Sequence, residues 1–485
     1  MSQPRNSSVN CSALFFRIMK TSILRCLMAL ATIIAISHPG NAEDASQTLS
    51  PKPFVDGARV TVVGDSITHG GKYPSYVELF YLTRFPDRKI TFINCGIIGD
   101  SAAGTLVRYD WEVTANKPTV ATVMLGMNDV GRSLYEPENQ KPDTVQKQKE
   151  AIDAYEANMR KIIGRLKADG IEPVIITPSP FDDTSTLTDK NGPHTNDGLR
   201  EISNRAKSLA REFGVAVIDF HGPMTKINLE MQAKDPKATI IGSDRVHPGS
   251  AGHMLMAYLF LKAQQVPGVV ASISIKAGSG VLNESVHCKV DQIKAGGNTL
   301  SFNYRAESLP YPMDPAAAST EPWLPFTEEL NREMLKVTDL PAGNYHLEID
   351  GKQIKDFTAE QLSEGVNLAA CRNTPQYQQA EKARLTYGGK QALVLKLRAL
   401  AATEHSAARM VPHPIPPVQM DSMLDKRTKD AAGKSWEHFV TANAQEYKEN
   451  KPHEDEWKAQ IEEILTTFRA AVQPKPHAFR ISPAN

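Results

Sequence analysis

Between Arg59 and Ala263, short apolar, β-branched runs alternate with longer segments of helical period, and this alternation restricts the possible folds more than any other feature of the chain. The runs are RVTVVG (59–64), KITFIN (89–94), TVATVML (119–125), EPVIITP (172–178) and GVAVIDF (214–220). Nearly continuous hydrophobicity over such lengths marks strands that are covered on both faces. Between the runs, Ile152, Tyr155, Met159, Ile162, Ile163 and Leu166 recur at steps of three and four, as do Leu199, Ile202, Ala206, Leu209 and Phe213. That spacing makes one apolar stripe on a helix. Strand and helix in strict alternation predict a parallel sheet with right-handed crossovers, and ligands of such sheets bind beyond the carboxyl ends of the strands. The residues directly after each run are therefore the candidates for chemistry.

After Val269 the pattern changes to period-two segments, ASISIKA, VHCKVDQI, TLSFNYR and LKVTDLPAGNYHLEIDGK, the last with Pro341 and Gly343 marking a turn between two strands. Proline-rich pieces such as SLPYPMDPAA (308–317) separate them. Beyond Cys371 the chain is polar and of mixed charge, with a proline-rich break at VPHPIPPVQM (411–420) and an amphipathic helix carrying Trp457, Ile461, Ile464, Leu465, Phe468 and Val472. The expected organisation is an α/β domain over residues 55–268, a β-rich accessory region over 269–370 and a mainly helical portion over 371–485.

The 485 residues exceed one ordinary core, which agrees with several units. Lys+Arg and Asp+Glu balance at 55 each, so the basic excess of a nucleic-acid binder is missing and no nucleic-acid partner is expected. At the start of the chain, Arg17, Lys20 and Arg25 flank and enter the apolar stretch LMALATIIAI (27–36), and Gly40 and Ala42 supply the small residues of a cleavage site. Residues 1–42 are thus expected to be a signal peptide cleaved after Ala42, with Met19 as an alternative start. A spanning helix needs roughly twenty apolar residues, so the expectation is a secreted or periplasmic protein with no stable membrane insertion after cleavage. Cys95, Cys288 and Cys371 would remain of the five cysteines. A Cys288–Cys371 bridge is open to them in an oxidising compartment, and unpaired buried thiols are the preferred reading. The sequence has neither CxxC nor HExxH, and no metal site is expected.

Three strand ends carry polar residues fit for acyl chemistry. The triplet Gly-Asp-Ser follows the first run in VVGDSITHGG and recurs after the second in IIGDSAAG. Ser66, at the first strand end, needs a base within hydrogen-bond reach before it can attack an ester. Among the 13 histidines, His247 in SDRVHPGSAGH stands out. Pro248 holds it in extended backbone ahead of a helix, and Asp244, three residues earlier, can hold one ring nitrogen and leave the other to take the serine proton. Asn128 in GMND follows the third run, where a side-chain amide can donate to an oxyanion.

Taken together, GDS after strand one, NCGIIGD after strand two, GMND after strand three and DRVH near the end of the α/β region resemble the SGNH (GDSL) hydrolase family over roughly residues 59–265. The resemblance implies a flavodoxin-like three-layer α/β/α sandwich with a five-stranded parallel sheet. It also implies Ser66 as nucleophile and first oxyanion amide, Gly99 as second amide, Asn128 as side-chain donor, and His247 with Asp244 as base and orienter. No cofactor is required. Ser101, in the second triplet, is then incidental. Asp65, Asp129 and Asp100 are expected to shape local backbone, and His221 to be structural. His69 and Tyr73 are expected to line the substrate pocket, while Asp182, Asp183 and His194 sit on a solvated loop.

The resulting expectation is a secreted serine esterase that removes short acyl groups, in particular O-acetyl groups on carbohydrate, with a small-molecule or glycan ester as its partner. Export, the lack of an amphipathic lid near these blocks and a β-rich appendage suited to glycan contact favour that substrate. The alternatives are a lipase or lysophospholipase and a non-catalytic glycan-binding or surface protein on the same scaffold. Oligomeric state is not legible from the sequence.

Overall fold

The computed structural model describes residues 48–188 and 192–484. The expected signal peptide therefore lies outside the described residues, as do residues 189–191 of the loop that precedes His194.

Each apolar run forms a strand of one parallel sheet: β1 (Arg59–Gly64), β2 (Thr91–Gly96), β3 (Val120–Met124), β4 (Glu172–Ile176) and β5 (Ala216–Ile218). Their order is β2-β1-β3-β4-β5, the flavodoxin-like arrangement, with the strand order reversing beside β1. The helices between and after them are α1 (Ser66–His69), α2 (Lys72–Arg84), α3 (Ala102–Arg108), α4 (Thr144–Ala168), α5 (Thr195–Phe213), α6 (His221–Gln232) and α7 (Ser250–Ala263). The stripe of Ile152, Tyr155, Met159, Ile162, Ile163 and Leu166 on α4 is buried, as is that of Leu199, Ile202, Ala206 and Leu209 on α5. Burial of each isoleucine, leucine or methionine among them contributes about 1.5–3 kcal/mol. The fold of this part is the expected three-layer α/β architecture.

Two further sheets follow. The strands are β6 (Val269–Lys276), β7 (Val281–Val286), β8 (Cys288–Gly296), β9 (Thr299–Ala306), β10 (Arg332–Thr338), β11 (Asn344–Ile349), β12 (Lys352–Thr358) and β13 (Val366–Asn367), with helices α8 (Phe326–Leu330) and α9 (Ala359–Glu364) between them. One sheet runs β13-β10-β6-β7. The residues around Pro341 and Gly343 do not close a hairpin, because β10 pairs in parallel with β6 while β11 pairs with β12 in the other sheet. Turn chemistry of this kind lets the chain change direction and does not by itself choose the next strand's partner.

The remaining helices are α10 (Pro375–Ala408), α11 (Pro417–Ala431), α12 (Glu437–Asn450) and α13 (Glu454–Ala471), and the chain then forms one more strand, β14 (His477–Pro483). That strand sits inside the third sheet, in the order β12-β11-β14-β9-β8. Residues 371–485 are thus not a separate helical body. Tyr387, Leu465, Phe468 and Val472 join the core of the α/β part, and Phe479 and Ile481 join that of the sheets. Cys95, Cys288 and Cys371 are unpaired, in line with the preferred reading.

The 34-residue α10 reaches about 50 Å at 1.5 Å per residue. Near its start Gln376 Nε2 donates to Glu333 of β10 at 3.0 Å. Further along, Tyr387 donates to Glu78 on α2 at 2.7 Å, and Lys390 forms a buried ion pair with the same carboxylate. Beyond that, Arg398 pairs with Glu112, and His405 lies 3.3 Å from Asp100. The helix therefore links the accessory sheets to the carboxyl edge of the parallel sheet. By contrast, the β-rich region packs at the opposite end of α2, where Arg84 donates to the carbonyls of Pro267 and Leu330 and the Leu309 amide donates to the Thr83 carbonyl.

Candidate active site

The turns after β1, β2 and β3 are neighbours because the strands are: Gly64 registers with Gly96 on one side and with Met124 on the other. Ser66 opens α1 directly after β1, and the buried Asp65 caps that turn by accepting from the Ile67 amide at 3.0 Å. Burial pushes the Asp65 carboxyl up to about 6, with the Ile67 amide and the charge of His247 pulling the other way. The turn after β1 begins a helix at Ser66 itself, ahead of the longer α2 that starts at Lys72.

Ser66 Oγ lies 2.7 Å from His247 Nε2, and His247 Nδ1 lies 2.6 Å from Asp244 Oδ2. The second Asp244 oxygen accepts from the amides of Val246 and His247 at 3.0 and 2.9 Å. Partial burial alone would raise the Asp244 pKa, but these amides and the imidazole outweigh it and hold the carboxyl below its ordinary value. An ionised Asp244 fixes the tautomer in which Nε2 is free to accept a proton. The DRVH segment is itself held down by Arg245, whose backbone is left-handed at φ 66° and whose buried guanidinium donates to the carbonyls of Asp182 and Thr188. Sequence reasoning missed this anchor.

Gly99 has φ +71°, in the left-handed region that the turn after β2 requires. Gly96, three residues earlier, is needed for a different reason: a Cβ there would sit 2.2 Å from the backbone nitrogen of His69. Asn128 donates its side-chain amide to the Asp100 carbonyl at 2.8 Å, which locks the turn after β3 onto the turn after β2. An amide has two N–H groups, so one remains for a ligand. Asp129 accepts from the Ala102 amide at 2.8 Å, and burial pushes its carboxyl up to about 7. Ser101 caps α3 by accepting from the Gly104 amide at 3.2 Å.

Asp100 does more than shape its loop. Its fully buried carboxylate pairs with Arg108 at 2.7 Å, accepts from Thr105 Oγ1 at 2.8 Å, and faces His405 of α10 at 3.3 Å and Arg409, just past the end of α10, at 3.8 Å. Burial would raise its pKa, but the Arg108 charge and the neighbouring His405 and Thr105 reverse this and hold it at about 2. Arg108 also pairs with Glu112, which takes a second partner in Arg398 of α10. The turn that carries Gly99 is thus clamped from the C-terminal helices, which nothing in the local sequence announces.

Other candidates divide. His69 is buried and lines a cleft against the C-terminal helices, and burial, followed by the charge of Arg398, pushes its pKa down to about 4. Tyr73 does not line a pocket: it is buried under His253, with its hydroxyl 3.1 Å from Thr68 Oγ1. His221 bonds Asn196 Oδ1 at 3.0 Å, a structural contact. Asp182 gathers the Ser185 amide and the Gln232 side chain, Asp183 accepts from the Asn196 amide at 3.4 Å, and the exposed His194 pairs with Asp197 at 3.0 Å.

The family model described as GDSL-like lipase/acylhydrolase matches residues 60–260. A solved structure described as a gut microbial diltiazem-metabolizing enzyme is 31% identical, with a TM-score of 0.82, covering 90% of this chain and 100% of that one. The acetylxylan esterase of Geobacillus stearothermophilus is 27% identical over 222 residues, 42% of this chain and 93% of that protein.

Proposed function

The chain belongs to the GDSL-like lipase/acylhydrolase family and is a carboxylic ester hydrolase; from that premise we propose that it works as an exported serine esterase through an acyl-enzyme on Ser66. The observation that carries the assignment is the pair of contacts at 2.7 and 2.6 Å linking Ser66 Oγ, His247 and Asp244. In this reading Ser66 Oγ attacks the ester carbonyl while His247 Nε2 takes its proton. Negative charge develops on the carbonyl oxygen, which the amides of Ser66 and Gly99 and the free N–H of Asn128 would receive. His247 then returns the proton to the leaving alcohol, whose bond to the acyl carbon breaks. Water, deprotonated by the same imidazole, releases the acid and restores Ser66.

For the substrate we propose short acyl groups, O-acetyl on carbohydrate in particular. The acetylxylan esterase relative supports this by its name. Ser66 and the half-exposed His247 and Asp244 side chains, 47% and 54% accessible, leave the reacting atoms open to a bulky alcohol. Export rests on the apolar stretch Leu27–Ile36 and the small residues Gly40 and Ala42; among the described residues no helix is long and apolar enough to cross a membrane. The proposed division into a hydrolase part over 55–268 and appended regions over 269–370 and 371–485 follows the change in hydrophobic pattern along the chain, while the cores interlock.

The test is activity of the wild-type chain and Ser66→Ala on p-nitrophenyl esters of increasing length and on acetylated polysaccharides. The expected result is acetate turned over faster than long acyl chains, acetate released from glycan, and both abolished by Ser66→Ala. Faster hydrolysis of long-chain esters would overturn the short-acyl reading in favour of a lipase, and glycan binding with no Ser66-dependent turnover would overturn the catalytic one.

A further inference from the structure

Between the turns after β1 and β2 and the C-terminal helices lies a cleft of about 360 Å³ that the expected domain boundaries would not have placed there. One wall comes from the two turns that carry the reacting groups: His69 ends the short helix that Ser66 begins, and Ile98 directly precedes Gly99. The other wall comes from α10, α11 and α12, with Leu400, Arg427, Phe439 and Asn443 among its residues. Two large apolar side chains, Ile98 and Phe439, line it while remaining 63% and 64% exposed. Left in water, each forgoes the stabilisation that a bound apolar surface would return.

We propose that this cleft holds the sugar of the ester's alcohol half, as a pyranoside ring whose C–H face lies against Phe439 and whose hydroxyls meet Arg427, Asn443 and Glu446. The proposal rests on Ser66 as the nucleophile of a short-acyl esterase and deepens that reading. Three features select the ligand class. The lining mixes apolar and polar side chains, as an amphipathic ring with an apolar face and a polar rim requires and as a wholly hydrocarbon alcohol does not. The charges of Arg427 and Glu446 offset one another and His69 is held neutral above about pH 4, so the site has no sign preference and suits an uncharged ligand. The volume accommodates roughly one or two rings, which points to an acetylated mono- or disaccharide unit or a chain end. Glycan contact, expected from the β-rich appendage, is assigned instead to the helical one, because α10 brings its far end to the catalytic edge while the sheets pack at the distant end of α2.

The experiment compares the wild-type chain with Phe439→Ala, which alters an exposed position, and Thr403→Trp, which adds bulk inside the cleft. Substrates are a monoacetylated methyl pyranoside, p-nitrophenyl acetate and 2-naphthyl acetate. Loss of the aromatic platform is expected to raise KM for the pyranoside about tenfold, with kcat changing much less. The ratio of kcat/KM for pyranoside to that for p-nitrophenyl acetate should fall at least fivefold in both variants, in line with that loss. A ratio within twofold of wild type in both, or a larger loss for the naphthyl ester than for the pyranoside, would overturn the cleft assignment while leaving the esterase intact. If the wild type hydrolyses none of the three, or if hydrolysis survives Ser66→Ala, the catalytic reading itself fails, which is a separate and recognisable result.

Discussion

Replacing Asp100 by Asn tests whether the clamp on the Gly99 turn is energetic or merely geometric. The carboxylate is fully buried against Arg108 at 2.7 Å, and its pKa is held at about 2 against an ordinary 3.8. A group depressed by that amount stabilises the folded chain by about 2 kcal/mol wherever it is ionised, at about 1.4 kcal/mol per tenfold shift. The amide keeps the shape but leaves the buried Arg108 short of one anionic partner, and removing one member of a buried pair typically costs about 3–5 kcal/mol. Glu112 still pairs with Arg108, so the expected loss is about 2–4 kcal/mol. In thermal melting this is a fall of roughly 2–4 °C if the interlocked cores melt as one unit, at about 2.1 cal/mol/K of unfolding entropy per residue. Because the folded pKa lies below the unfolded one, the stabilisation is present above about pH 4 and is lost as pH falls towards 2. The gap between wild type and variant should therefore be full at pH 7 and shrink below pH 4. Turnover should fall by about tenfold, less than the loss of an oxyanion donor outright, because the Asn128 contact to the Asp100 carbonyl is retained. A stability difference under about 0.5 kcal/mol at pH 7, or one that does not narrow in acid, would refute the reasoning.

Ser101→Ala should keep kcat/KM within about threefold of wild type and cost about 1 kcal/mol in urea unfolding, since Ser101 caps α3. His253, buried against Tyr73 with its pKa pushed down to about 3 by burial, stays neutral in the folded chain. Its contribution is present above about pH 6.5 and is lost as pH falls, so His253→Phe should gain about 2 kcal/mol relative to wild type between pH 7.5 and pH 5, read from unfolding midpoints. Lys390→Met strands the buried Glu78 carboxylate and should cost about 3–5 kcal/mol. Adding Glu78→Leu should recover more than half of that in a double-mutant cycle, and simple additivity would show that α10 is not held through this pair.

The parallel sheet was legible because hydrophobic period is a local property: Val60 to Val63, Val120 to Val123 and Val174 to Ile176 advertise strands buried on both faces wherever they occur. Ser66, Asp244 and His247 were legible as residues after such strands, and the structure brings them into contact. The partners of Asp100 were not, since His405 and Arg409 lie far along the chain, on and just past a helix that reads as polar and of mixed charge. No periodicity says which other element will neutralise a buried aspartate. Tyr73 was misjudged for a related reason: proximity to Ser66 in sequence does not tell whether a ring points to the pocket or, as here, packs between Phe220 and His253. Pro341 and Gly343 signalled a turn correctly, yet the strands they join belong to different sheets.

The position of β14 has a consequence for how a ribosome can deliver this molecule. Its neighbours β9 and β11 are made long before it, yet they meet only through the residues from His477 to Pro483 inserted between them. Until those residues emerge, two incomplete ribbons present unpaired edges, the kind of surface that invites association with other chains. Closure of the third sheet is thereby deferred to a late moment of synthesis, with long-range contacts that form slowly. If the polypeptide is threaded through a membrane before it folds, that same delay keeps the third sheet open for passage.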